Sequence, residues 1–136
     1  MSLPYTFVPF TTIYSAQVNA NFQYVAIYDI AMGYNGTPPA STTLFLFPVV
    51  RTFTLPAGLS GSLFLFATAP SSSTVFTIQQ NGATIGTITW AASSTSGTPS
   101  FTNPITFSPG DQLTILTPSS LNSAANLGMT FSGSRV

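Results

Sequence analysis

Over most of the chain, apolar and polar residues alternate with a period of two, as in strands that bury one face and expose the other. The clearest stretch is 75–90, where Asn81-Gly82 between two alternating runs predicts a tight hairpin, because both residues tolerate positive φ. Phe76 and Ile78 must then share a face with Ile88 and Trp90. A two-residue loop sets Ile78 opposite Ile85 and needs a bulge at Gly86 to bring Ile88 and Trp90 round, whereas a three-residue loop pairs Phe76 with Ile88 directly. Either way Gly86 is structural and Trp90 belongs to the core.

The same pattern predicts strands at 24–32, with Tyr28, Ile30 and Met32 on one face and Asp29 on the other, and at 44–47, 51–55, 62–67, 101–107, 112–117 and 127–131. Pro48 marks an edge strand or a bulge, since it cannot donate to a ladder. In 62–67, Leu63 and Leu65 oppose Phe64 and Phe66, so both faces are apolar, as expected of a strand held between a core and a neighbouring copy. The Gly- and Pro-rich stretch 33–40 reads as a stiff loop and 93–100 as a small polar loop, mobile and facing solvent. Ser108-Pro109-Gly110-Asp111 reads as a tight turn, with Pro fixing φ at the second position and Gly taking positive φ at the third. About eight strands with regular turn signals predict an all-β fold, an antiparallel β-sandwich of the jelly-roll kind.

The first 25 residues break the alternation. Pro4 and Pro9 forbid a regular helix, leaving an extended arm whose Tyr5, Phe7, Phe10 and Tyr14 need an apolar partner. That partner is a neighbouring subunit, a socket on a larger particle, or the arm's own domain. Next comes one short helix: Ser15 suits an N-cap, and Val18, Phe22 and Val25 recur at the spacing of one helical face. About two turns carrying Asn19 and Asn21 cannot stand alone, so the helix must dock. The chain divides into an attachment segment, 1–25, and a β-sandwich domain, 26–136.

Val18-Asn19-Ala20-Asn21-Phe22, preceded by a hydroxyl residue and an extended Pro-, Thr- and Phe-rich segment, resembles a motif near the start of bacteriophage tail-fibre and related virion proteins. The run from Phe53-Thr54-Leu55-Pro56 through Phe107 to Leu113 and the terminal Ser-Gly-Ser-Arg is similar to a domain of phage structural proteins, and Phe-x-x-Gly-Asp turns also occur in trimeric jelly rolls of other origin. The resemblance implies a virion location, a homotrimeric fibre or spike, and attachment to other virion proteins through the N-terminal segment. Tyr5, Phe7, Phe10, Tyr14, Val18, Asn19, Asn21 and Phe22 are the candidate attachment or subunit-interface residues.

Composition sharpens this picture. Only 3% of the 136 residues are charged, against roughly a quarter in an ordinary soluble domain. Asp29, Arg51, Asp111 and Arg135 are the whole inventory, and the net charge is zero. Copies therefore repel one another hardly at all, and an assembly is expected. Two arginines cannot neutralise a useful number of phosphates, which argues against nucleic acid as a partner. The longest apolar run, 44–50, is too short to span a bilayer, so no membrane insertion is expected.

Catalytic chemistry has little to work with. There is no histidine to activate a serine and no cysteine for a thiolate, and Asp29 and Asp111 are the only side-chain carboxylates. Asp111 is expected to cap its own turn by accepting from backbone amides. Neither a metal nor a cofactor is expected, and the chain reads as a non-enzyme. Two classes of function remain: a virion structural subunit (a short fibre, a spike or a capsid decoration protein) and a module that binds host cell-surface glycans. For the second, Tyr34 and Asn35 form the candidate receptor-binding loop, since an aromatic ring on a stiff loop can stack on a sugar.

Overall fold

The computed structural model describes residues 26–135. Ten strands make up this part: β1 (Ile27–Tyr34), β2 (Thr43–Pro48), β3 (Phe53–Leu55), β4 (Leu63–Thr68), β5 (Thr74–Gln80), β6 (Ala83–Trp90), β7 (Thr98–Ser100), β8 (Ile105–Phe107), β9 (Gln112–Leu116) and β10 (Ala125–Arg135). They form two antiparallel five-stranded sheets packed as a sandwich. Sheet A runs β1-β10-β3-β8, with β4 also on β10, and sheet B runs β2-β9-β5-β6-β7. The eleven-residue β10 is the spine of sheet A. Its first half pairs with β4 and its last residues with β3, while β1 runs along its other side from Ile27↔Ser134 to Tyr34↔Leu127. The two orders run in step, β1-β10-β4 over β2-β9-β5, the strand order of a double Greek key or jelly roll.

The period-two pattern explains which residues fill the space between the sheets. Tyr28, Ile30 and Met32 of β1, Phe64 and Phe66 of β4, and Met129 and Phe131 of β10 point inward from sheet A. Phe76, Ile78, Ile88, Trp90, Leu113 and Ile115 meet them from sheet B. Phe66 packs edge-on against Phe76 and lies 4.8 Å from Trp90, centroid to centroid, so these rings fix the spacing of the two layers.

The hairpin takes the two-residue form. Gln80 pairs with Ala83 around Asn81 and Gly82, both at positive φ, and the register shifts between Ile78 and Gln79. Ile85 is thereby the extra residue, Gly86 lies opposite Ile78, and Phe76 meets Ile88 as the alternation requires. β2 is an edge strand with an irregularity near Thr43, in keeping with Pro48 at its end.

Several boundaries differ from the sequence reading. The strand count is ten, not about eight, and β7 is the strand that no alternation announced. β1 continues through Tyr34, so the following loop begins at Asn35. The run 101–107 is a strand only over Ile105–Phe107, although Phe101 is buried. The segment 93–100 faces solvent as expected, but it is not all loop. Its residues 95–97 lie along β4, with the Phe66 amide donating to the Thr95 carbonyl and the Gly97 amide to that of Phe64, before Thr98–Ser100 crosses to pair with β6. Its residues are too small and polar to mark a strand, but backbone pairing needs no side chains. The arm and the helix expected before residue 26 lie outside the described residues.

Candidate functional site

The two outward faces of the sandwich are chemically unlike. On sheet B the residues that alternate with the buried Phe76, Ile78 and Ile88 are Val75, Thr77, Gln79, Thr87 and Thr89, a largely polar face in which Val75 and, on the edge strand, Leu46 are the exposed apolar side chains. On sheet A the residues that alternate with Phe64 and Phe66 are Leu63 and Leu65, 65% and 46% exposed. Their neighbours across β10 and β1 are small. Leu65 stands opposite Gly128, which pairs with Gly33, and Leu63 stands opposite Thr130, which pairs with Ala31. The result is a leucine ridge beside a low floor, enclosing a trough of about 420 Å³.

At its upper end the trough continues past Leu65 and Gly128 into a second recess of about 510 Å³, bounded by Asn35, Ala67, Thr95 and Asn126. No titratable side chain lines either recess. Such a surface can bury apolar atoms and can offer amides at one end. A third, polar recess of about 540 Å³ lies at the end of the sandwich between Thr37, Pro38 and Ala40 on one side and the 119–123 loop on the other.

The four charged side chains are spread out. Asp111 is held in the β8–β9 turn: the Ser108 amide donates to its Oδ2 at 2.8 Å, Gln80 Nε2 to the same oxygen at 3.0 Å, and Asn81 Nδ2 to Oδ1 at 2.8 Å. These donors, Asn81 first, hold its carboxyl below the ordinary value of 3.8. Its expected role of turn cap is thus widened to a clasp that ties the β5–β6 hairpin tip to the start of β9. The Asn81 amide and Oδ1 complete the clasp with Gln112. Arg135 lies over the ring of Tyr28, 5.7 Å from its centroid. Asp29 is on the outward side of β1, opposite Ser132, and Arg51 is exposed in the link from β2 to β3.

Of the residues singled out from sequence, Tyr34 ends β1 and Asn35 opens the loop, with Asn35 lining the second recess and Tyr34 outside it. Both side chains are exposed at the end of β1. Tyr5, Phe7, Phe10, Tyr14, Val18, Asn19, Asn21 and Phe22 lie outside the described residues. The trough itself could have been found more fully from sequence: the two-faced apolar strand 62–67 announced its ridge, but the floor needs the pairing of β10 with both β1 and β4. Comparison with protein-family models, with curated proteins and with solved structures gives no match to this chain.

Proposed function

We propose that the protein is a non-enzymatic bacteriophage virion subunit, a homotrimeric short fibre or spike held to other virion proteins through residues 1–25 and presenting its sandwich outward for host attachment. The observation that carries this reading is the uncovered leucine ridge of sheet A in a chain with four charged side chains. An exposed apolar patch on a nearly uncharged molecule marks an interaction surface. The likeness of Val18-Asn19-Ala20-Asn21-Phe22 to tail-fibre proteins supplies the virion context. A capsid decoration protein is the same reading with a different attachment point. A stand-alone glycan-binding module is less well supported, because the recess that contains Asn35 carries no exposed aromatic ring to stack on a sugar.

Two measurements test the proposal. Sedimentation or light scattering of the full chain should give the mass of a trimer, and a monodisperse monomer at high concentration would contradict it. In particles, Phe22→Ala, or Asn19→Ala with Asn21→Ala, should abolish incorporation while the far-UV spectrum of the sandwich is unchanged. Normal incorporation of these variants would remove the anchoring role from the segment.

A further inference from the structure

The two ends of the sandwich differ in chemistry. One end holds the start of β1, where the Arg135 amide donates to the Ala26 carbonyl, together with Arg51 in the β2–β3 link and Asp111 in the β8–β9 turn. Asp29 lies two residues along β1 from that end. The opposite end is built from four loops, 35–42, 69–73, 91–94 and 117–124, and none of them contains a charged residue. Apart from the buried Leu121 they consist only of Asn, Gly, Thr, Pro, Ala and Ser.

These loops are tied to one another. The Ser41 amide donates to the Pro118 carbonyl at 2.9 Å and Thr117 Oγ1 to that of Pro39 at 2.7 Å, joining 35–42 to 117–124. The Ser71 amide donates to the Asn122 carbonyl and Asn122 Nδ2 to that of Ser73, and the Ser93 amide ties the 91–94 loop to Pro70. The polar recess of about 540 Å³ at this end therefore has walls that are fixed before any ligand arrives, which removes an ordering cost from binding.

Three serines here hold a conformation that glycine would adopt more easily. Ser41, Ser93 and Ser123 have φ of 52°, 64° and 64°, a left-handed backbone that a Cβ opposes. A turn alone would be served better by glycine, as at Gly36 in the same end. All three serines are exposed, and among the described residues their hydroxyls have no hydrogen-bond partner, whereas those of Ser94 and Ser120 bond within their own loops. Strain of this kind gathers at binding sites, where a side chain is retained against the preference of its backbone. Ser123 lines the recess together with Thr37 and Ser119.

We infer that this recess binds an uncharged oligosaccharide of the host surface, with the hydroxyls of Thr37, Ser119 and Ser123 exchanging hydrogen bonds with sugar hydroxyls. The ligand class follows from the lining. Hydroxyl groups both donate and accept, as neighbouring hydroxyls of a sugar do. An acidic ligand would find no cation in the four loops, and a protein partner would find no exposed apolar anchor. Without an aromatic platform each site binds weakly, and three copies presenting the same end supply avidity. The inference rests on the reading of the chain as an outward-presented attachment subunit and adds the surface and the ligand. The chain enters β1 at the opposite end, and association through sheet A leaves these loops uncovered.

Ser123→Gly and Thr37→Val test it on the full-length protein, because each removes a hydroxyl and glycine accepts positive φ without strain. The protein is applied to an array of uncharged oligosaccharides of hexoses, 6-deoxyhexoses and N-acetylhexosamines, with sialylated ones as the acidic control. Binding to uncharged members is expected, lowered about threefold to tenfold at each site by either variant. The urea midpoint of Ser123→Gly should be unchanged or raised, which a merely structural serine would not allow alongside lost binding. Binding to no uncharged member overturns the inference, as does binding confined to the acidic control or binding that both variants leave intact. A trimer that enters particles normally yet binds no uncharged sugar would sink the site and leave the virion reading standing. A monomer that still binds through Ser123 would remove the trimer and keep the site.

Discussion

Two glycines show how single residues set the distance between chain segments. A Cβ at Gly86 would lie 2.7 Å from Phe101 Cδ2 and 2.7 Å from the Ser100 carbonyl, and one at Gly97 would lie 2.6 Å from Cε2 of Trp90. Both contacts are far inside van der Waals range, and at Gly86 one partner is backbone, which cannot rotate away. Gly86→Ala and Gly97→Ala should each cost about 1–3 kcal/mol through overpacking. Urea unfolding followed by the emission of Trp90, the one tryptophan, checks this, and a change within about 0.5 kcal/mol would show that the segment 95–101 yields more easily than its contacts imply. The importance of Gly86 was legible from the hairpin's register problem alone. That of Gly97 was not, because its neighbour is a ring on a strand seven residues earlier and nothing in Ser-Gly-Thr announces it. Trp90 was readable as core, but its Nε1 is buried with no hydrogen-bond partner among the described residues, a feature that periodicity cannot reveal.

At the scale of elements, the clasp around Asp111 joins two turns that are far apart in sequence. Its carboxyl is held below 3.8 by the Asn81 side chain, then by the Ser108 amide, with desolvation opposing and Gln80 adding to the lowering. A depressed folded value means that the clasp contributes fully above the unfolded pKa and is lost as pH falls through the folded one. The melting temperature should therefore be flat at neutral pH and decline below about pH 4, and Asp111→Asn should remove much of that decline. An unchanged acid limb in Asp111→Asn would show that the clasp does not set it. Turn chemistry of this kind was well encoded, since Asn81-Gly82 and Pro109-Gly110 declare their conformations locally. Strands were encoded in proportion to their alternation. β3, β5, β6 and β9 were announced by theirs, whereas β7 is held by its backbone pairing with β6 and β8 by its pairing with β3. The trough was half legible for the same reason: its ridge is one strand's pattern, and its floor is a product of register.

For the whole molecule, the question is what an almost uncharged sandwich does with one wet face and one greasy face. Water can satisfy the threonines of sheet B, but exposure of Leu63, Leu65, Leu46 and Val50 carries a hydrophobic cost that association relieves. Screening has little to act on, because the whole chain carries only four charged side chains, so salt from low to high ionic strength should change assembly only slightly. Stability should instead follow concentration. If folded chains associate as trimers, unfolding is linked to subunit concentration by mass action. A tenfold increase then stabilises each chain by about 1 kcal/mol and raises the melting temperature by about 3–6 °C. Gly128→Val should flatten this dependence while keeping the melting temperature seen at high dilution, since it fills the floor of the trough and its Cβ meets no atom of its own fold within 4 Å. Scanning calorimetry over two decades of concentration distinguishes the cases. A concentration-independent transition in the unsubstituted chain would mean that the greasy face is tolerated in solvent by a free monomer, and the assembly reading would fall with it.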